Sequence, residues 1–250
     1  MTLDVTFFLL ATPAVIFAGV SKGGFGSGAA FAATPFLALI LEPAQAVGLM
    51  LPLLMLMDLG GLRAWRGRWH RPSARVLIMG SVPGIALGAA LYSLTDPDVF
   101  RLLIGMVAVG FVAFRLAAAR GWLHPARRPM PPALGALAGL ATGFTSFISH
   151  AGGPPAAIYL LSQRLDKTAF QATTVLVFWA VNLMKFIPYL WLGFFSRQTV
   201  LAGVWLAPAA LLGVWLGVRL HAAVSDRLFF LLAHAFLLIT GAKLIWDVLG

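Results

Sequence analysis

Apolar residues in this chain come in long blocks separated by short polar or glycine-rich stretches. Ten blocks run roughly over 5–21, 25–41, 44–65, 73–94, 98–119, 132–149, 152–165, 168–194, 199–221 and 227–248. A helix needs about 20 apolar residues to cross the hydrocarbon of a bilayer, and most blocks reach that length. Pro13, Pro35, Pro52, Pro83, Pro188 and Pro208 fall inside blocks. In a membrane, neighbouring helices re-satisfy the freed backbone groups, so these prolines do not veto helices. The pattern predicts an all-α integral membrane protein. The first two blocks of each half are the short ones; 152–165 makes only about 21 Å of helix against a core about 30 Å thick. Two readings follow. Blocks one and two, and six and seven, form re-entrant hairpins, or all ten blocks cross; both leave the same parity.

The blocks repeat. Gly28 and Gly153 are 125 residues apart, Gln45-Ala46 and Gln171-Ala172 are 126 apart, and Pro83-x4-Gly88 and Pro208-x4-Gly213 are 125 apart. A near-constant offset over three elements divides the chain into a first repeat, 1–120, and a second, 132–250, joined by a Pro- and Arg-rich linker at 121–131. Five segments per half is an odd number, so the halves have opposite orientation, the inverted-repeat plan of many secondary transporters.

Composition agrees with the pattern. The chain is 60% hydrophobic and 10% charged, with a mean hydropathy of +0.92, against about 25% charged in soluble domains. Its net charge of +10 comes mostly from short loops, as orientation signals do, so nucleic acid is not an expected partner. Arg63, Arg66, Arg68, Arg71 and Arg75 make one loop cytoplasmic, and the acidic Thr95-Asp96-Pro97-Asp98 turn lies outside. The alternation puts both termini outside. Asp4 and the lack of a basic run near Met1 argue against a cleaved signal peptide. Cysteine is absent, so no disulfide or thiolate chemistry is expected. No His, Asp or Glu cluster has metal-ligand spacing, and no cofactor motif or nucleophile–base pair is present. Trp65, Trp69, Trp122, Trp191 and Trp246 lie near block ends and read as interface anchors.

Two glycine-rich breaks carry the candidate chemistry. The first holds Ser21, Lys22, Gly23, Gly24, Gly26, Ser27 and Gly28; the second runs from Thr145 and Ser146 through Ser149, His150, Gly152, Gly153 and Pro154 to Pro155. Broken helix in hydrocarbon survives only where protein buries it or it lines a wet cavity. Matched breaks in two halves point to a transporter's binding site. Each break precedes a block, so two helix N-termini with unpaired N–H groups would face an anion, and the serines, Lys22 and His150 add donors. The alternative for the glycines is close helix packing. Gln45 and Gln171 hold matched places and would donate to an oxyanion or sit at helix ends. Lys185, beside Asn182, is a charge near a helix centre, a position that usually serves function; the alternative is a stem snorkelling to the interface. Asp58 is the carboxylate well inside a block and is the candidate for coupling, by proton relay or by pairing with a cation.

These motifs, Gly19-Val20-Ser21-Lys22-Gly23-Gly24-x-Gly26-x-Gly28 with Pro35, and His150-x-Gly152-Gly153-Pro154-Pro155, with Gln45 and Gln171 downstream, resemble the sulfite exporter TauE/SafE family of bacterial membrane permeases. The resemblance covers nearly the whole chain and implies transport of sulfite, sulfonates or related anions across the inner membrane. Ala29-Ala30 stand in the first half where Pro154-Pro155 stand in the second, so the half-sites differ chemically. The reading is an inner-membrane secondary transporter, an exporter of small oxyanions working by alternating access; a passive anion channel of the same architecture is the alternative. An enzyme is not expected. Expected partners are the anion and the lipid bilayer, with proton or sodium coupling and a homo-oligomer as open options.

Overall fold

The computed structural model describes residues 2–24, 29–122, 128–220 and 225–250. Regular structure among them is helical throughout: α1 (Val5–Gly24), α2 (Ala33–Leu37, entered through a 3₁₀ turn at Ala30–Ala32), α3 (Pro43–Ala64), α4 (Arg71–Leu94), α5 (Pro97–Ala119), α6 (Pro132–Ser149), α7 (Gly153–Ser162), α8 (Lys167–Trp191), α9 (Arg197–Leu220) and α10 (Asp226–Leu249). Eight of these are long and apolar enough to cross a membrane; α2 and α7 are not. The expectation of two short blocks per half is therefore corrected. α1 has 20 residues and α6 has 18, about 30 and 27 Å of helix, enough by length alone to span. Yet Lys22 and Ser146 near their ends lie beside residues well inside α3 and α8, where a hairpin that turns back would place them. Only the second member of each pair is short.

Helix starts follow local chemistry. Proline occupies the first turn of α3, α4, α5, α6 and α7, where its missing N–H would have no partner anyway. Asp166 caps α8 by accepting from Ala169 N at 2.9 Å, and Ser225 caps α10 by accepting from Leu228 N at 3.3 Å. In the linker, residues 123–127 lie outside the described residues.

Small residues set the helix pairing. α1 lies along α9, α4 along α6, and α5 along α10, while α3 and α8 touch in the middle. Along α1–α9 the backbones nearly meet: a Cβ at Gly23 would lie 2.2 Å from the Val214 carbonyl oxygen, and one at Gly24 would lie 2.2 Å from that of Gly217. The α4–α6 seam is built the same way, with a Cβ at Gly84 reaching 2.0 Å from the Leu140 oxygen. Without a hydrophobic force between helices in lipid, such close approach is what holds a bundle. The core lies around α3, where Ala46, Val47, Leu49, Met50 and Leu51 are wholly enclosed.

Candidate functional site

A buried polar cluster sits where the ends of α1 and α6 meet the middles of α3 and α8. Lys22, near the end of α1, forms an ion pair with Asp58 of α3. Its ammonium also donates to the Leu54 carbonyl at 3.4 Å. Asn182 of α8 donates through Nδ2 to the other Asp58 oxygen at 3.4 Å. On the opposite side, Lys185 of α8 is fully buried. Its Nζ is 2.9 Å from Ser146 O, 2.8 Å from Ser146 Oγ and 2.8 Å from His150 Nδ1. Three acceptors match the three N–H bonds of an ammonium. His150 Nε2 lies 3.0 Å from Val47 O. A carbonyl can only accept, so Nε2 carries the proton and Nδ1 accepts from Lys185.

The local backbone explains how His150 arrives there. α6 ends on His150 itself, at φ 59°, a left-handed conformation that costs a residue with a Cβ about 1–2 kcal/mol. Helices usually end this way on glycine. His150 N donates to Ser146 O at 2.9 Å and Ala151 N to Thr145 O at 3.3 Å, which closes the turn and aims the ring at α3 and α8. Strain of this kind persists where the surroundings over-determine it, most often at working sites. Tyr189 donates to Phe147 O at 2.5 Å and pins the same turn.

The cluster borders a small cavity of about 20 Å³ whose lining includes Lys22, Leu54, Ser146, His150, Gly153, Phe178 and Asn182. That is room for about one water. Three of its walls keep a hydrogen to give. Of three N–H bonds on Lys22, Asp58 and Leu54 O take two. Asn182 spends one of two on Asp58, and the Ser146 hydroxyl, which accepts from Lys185, donates to no described residue. Lys185 does not line the cavity; it stands one layer behind, held by Ser146 and His150. Beyond Phe178 and Gly153 a second, wider pocket of about 330 Å³ opens, with Arg115, Pro154, Gln171 and Thr174 in its wall.

The structure gathers Lys22, Asp58, Asn182, Lys185, His150 and Gly153 from the sequence candidates and separates others. Gly23 and Gly24 face the α9 backbone, so packing occupies the approach that an anion would need. Gly152 is enclosed likewise, its Cβ position 2.9 Å from Thr142 O. At Gly153 an added Cβ would meet nothing within 4 Å. Ser21 and Ser149 are buried, and Ser149 Oγ has no partner among the described residues. Pro154 and Gln171 belong to the wider pocket; Gln45 lines neither cavity. Gly26, Ser27 and Gly28 lie outside the described residues.

Two helix N-termini are expected to face the anion, yet the starts of α2 and α7 offer few free N–H groups for that. α2 has only five residues. α7 begins Gly153-Pro154-Pro155, and proline has no N–H to offer. The cavity is instead lined by side-chain donors of Lys22, Asn182 and Ser146. Sequence reasoning named Ser146 as one of several hydroxyl donors beside the turns and missed the Val47 carbonyl and Phe178. The hydroxyl was visible in the second break; a backbone carbonyl from a distant helix carries no sequence signal. Among the described residues, no group of three His, Asp or Glu side chains converges as a metal site would.

No curated protein and no solved structure matches the chain. The model of the family described as sulfite exporter TauE/SafE matches residues 11–244, so this multi-pass membrane protein belongs to the TauE/SafE family of membrane transporters.

Proposed function

We propose that the protein is a secondary transporter of small oxyanions such as sulfite and organosulfonates, exporting them across the bacterial inner membrane by alternating access. The carrying observation is the cavity wall. Lys22, Asn182 and Ser146 line a small cavity and each keeps a hydrogen that no described residue takes, and Lys185 behind them has no carboxylate within bonding distance. Preorganised donors in a low-dielectric site bind an anion more strongly than the same donors in water.

In this reading residues 1–120 and 132–250 are the two inverted halves. The helix pairing supports it: the exchange α1 with α6, α3 with α8, α4 with α9 and α5 with α10 turns the contact α1–α9 into α6–α4 and leaves α3–α8 and α5–α10 unchanged. With the Arg63–Arg75 loop in the cytoplasm and both termini outside, the wider pocket by Arg115 and Gln171 faces the cytoplasm. The conformation is then closed on the outside, with Phe178 and Gly153 dividing the cytoplasmic pocket from the site. Anion entry needs α7 or α8 to shift, since a space for one water does not hold an oxyanion.

Counterflow tests the proposal. Proteoliposomes preloaded with unlabelled sulfite should accumulate radiolabelled sulfite transiently, with saturation and without large electrical conductance. Conductance without counterflow would favour a channel, and no flux of any sulfur oxyanion would remove the proposal.

A further inference from the structure

We infer that the cavity is built for a single negative charge, and that Asp58 is the residue that sets this preference. The inference rests on the cavity being the anion site. Four ionisable or protonatable groups from four elements form the cluster: Lys22 of α1, Asp58 of α3, His150 at the end of α6 and Lys185 of α8. His150 donates through Nε2 to Val47 O and accepts at Nδ1, so it is neutral. Asp58 is taken by Lys22, and its second oxygen faces Asn182. Lys185 touches only neutral acceptors. With Lys185 as the ammonium that its three acceptors match, the sum is two ammonium groups against one carboxylate, a surplus of one positive charge. Arg115 lies in the wall of the wider pocket, beyond Phe178 and exposed, and does not enter the sum.

A monoanion neutralises this surplus; a dianion leaves one negative charge buried beside Asp58. An uncompensated charge in a site of low polarisability is the costly species. The substrates that fit are therefore monosulfonates and, of the two forms that sulfite takes near neutral pH, hydrogensulfite. Anions carrying both a sulfonate and a carboxylate group are disfavoured. Without Asp58 the surplus would be two, and the preference should pass to dianions. Asp58 thus acts as a specificity-determining residue without itself lining the cavity.

Equilibrium dialysis of the purified full chain against radiolabelled methanesulfonate and radiolabelled sulfate, at neutral pH and fixed ionic strength, tests this. Both anions are tetrahedral at sulfur and keep their charge there. The wild type should bind methanesulfonate about thirtyfold more tightly than sulfate, the scale of one unit charge several ångströms away in a protein site. Asp58→Asn should close or invert that ratio. Lys22→Gln with Asp58→Asn removes a neutral pair and should keep the wild-type ratio, which serves also where Asp58→Asn alone does not fold. A wild type that binds sulfate as well as methanesulfonate overturns the charge inference and leaves the anion site standing. So does an unchanged ratio in folded Asp58→Asn, or a shifted ratio in the double variant. Binding of neither anion, nor of sulfite, overturns the anion site and this inference together.

Discussion

The corner where α1 meets α3 and the corner where α6 meets α8 hold cations in opposite ways. At the first, Lys22 has a carboxylate, Asp58. At the second, Lys185 has a serine and a neutral histidine. The glycine breaks differ in parallel. Gly23 and Gly24 are locked against α9, whereas Gly153 faces open space. The helices beyond the breaks differ too. α3 begins with a stretch that is almost wholly enclosed, while Gln171, Thr174 and Phe178 of α8 border the wide pocket. One corner pairs its cation with a carboxylate and packs its glycines against α9; the other has a cation without a carboxylate beside it and an open glycine. An ion pair whose partners satisfy one another holds structure, and a buried cation without a countercharge waits for one.

The largest effect should come from leucine at the two glycines. Gly24→Leu drives a side chain into the Gly217 backbone, where neither helix can give, so it should abolish folded protein on size-exclusion chromatography in detergent. Gly153→Leu has space and should fold normally, yet fill the approach to the cavity and lose counterflow. Folded, inactive Gly24→Leu together with active Gly153→Leu would reverse the assignment of the two breaks.

Breaking the Lys22–Asp58 pair comes next. Leaving either charge buried alone should lower stability by about 3–5 kcal/mol, and removing both should recover most of that loss. Thermal unfolding of Lys22→Gln, Asp58→Asn and the double variant reads it directly. Additive losses would mean that the two charges do not depend on one another.

Orientation is testable without background because the chain has no cysteine. Arg68 and Asp96 are both exposed. In intact cells Asp96→Cys should react with an impermeant thiol reagent and Arg68→Cys should not. The reverse pattern would turn the wide pocket to the outside and change the direction of opening.

The smallest effect belongs to Tyr189. Tyr189→Phe removes the hydroxyl that holds Phe147 O and should cost about 1 kcal/mol of stability while binding is retained. A large loss of anion affinity would show that the His150 turn depends on this hydroxyl.

Much of this difference was legible in the sequence. Block lengths, the two breaks, a lysine and an aspartate inside apolar helices, and the absence of Pro-Pro from the first break all follow from residue order. The prolines after Gly153 also told against a helix N-terminus as the donor set, since they carry no N–H. What residue order does not carry is pairing across the bundle. Nothing near Asp58 says that its cation is Lys22 on α1 rather than Lys185 on α8. Nothing near Gly24 says that Gly217 lies against it, because small residues permit close packing and close ligand approach alike. The apolar block ends at 21, and Lys22 with the glycines after it reads as a break, yet α1 stays helical through Gly24 along the α1–α9 seam.

The central claim is that Lys185 supplies the charge that holds the anion, acting from behind Ser146 and His150. Lys185→Gln keeps length and hydrogen bonding and removes the charge. Radiolabelled sulfite binding to purified wild type and Lys185→Gln, both checked for folding by circular dichroism, measures this. The account predicts saturable binding by the wild type, about tenfold or more weaker binding by Lys185→Gln, and a flatter dependence on added salt in the variant. Equal affinity in the two folded proteins would contradict it.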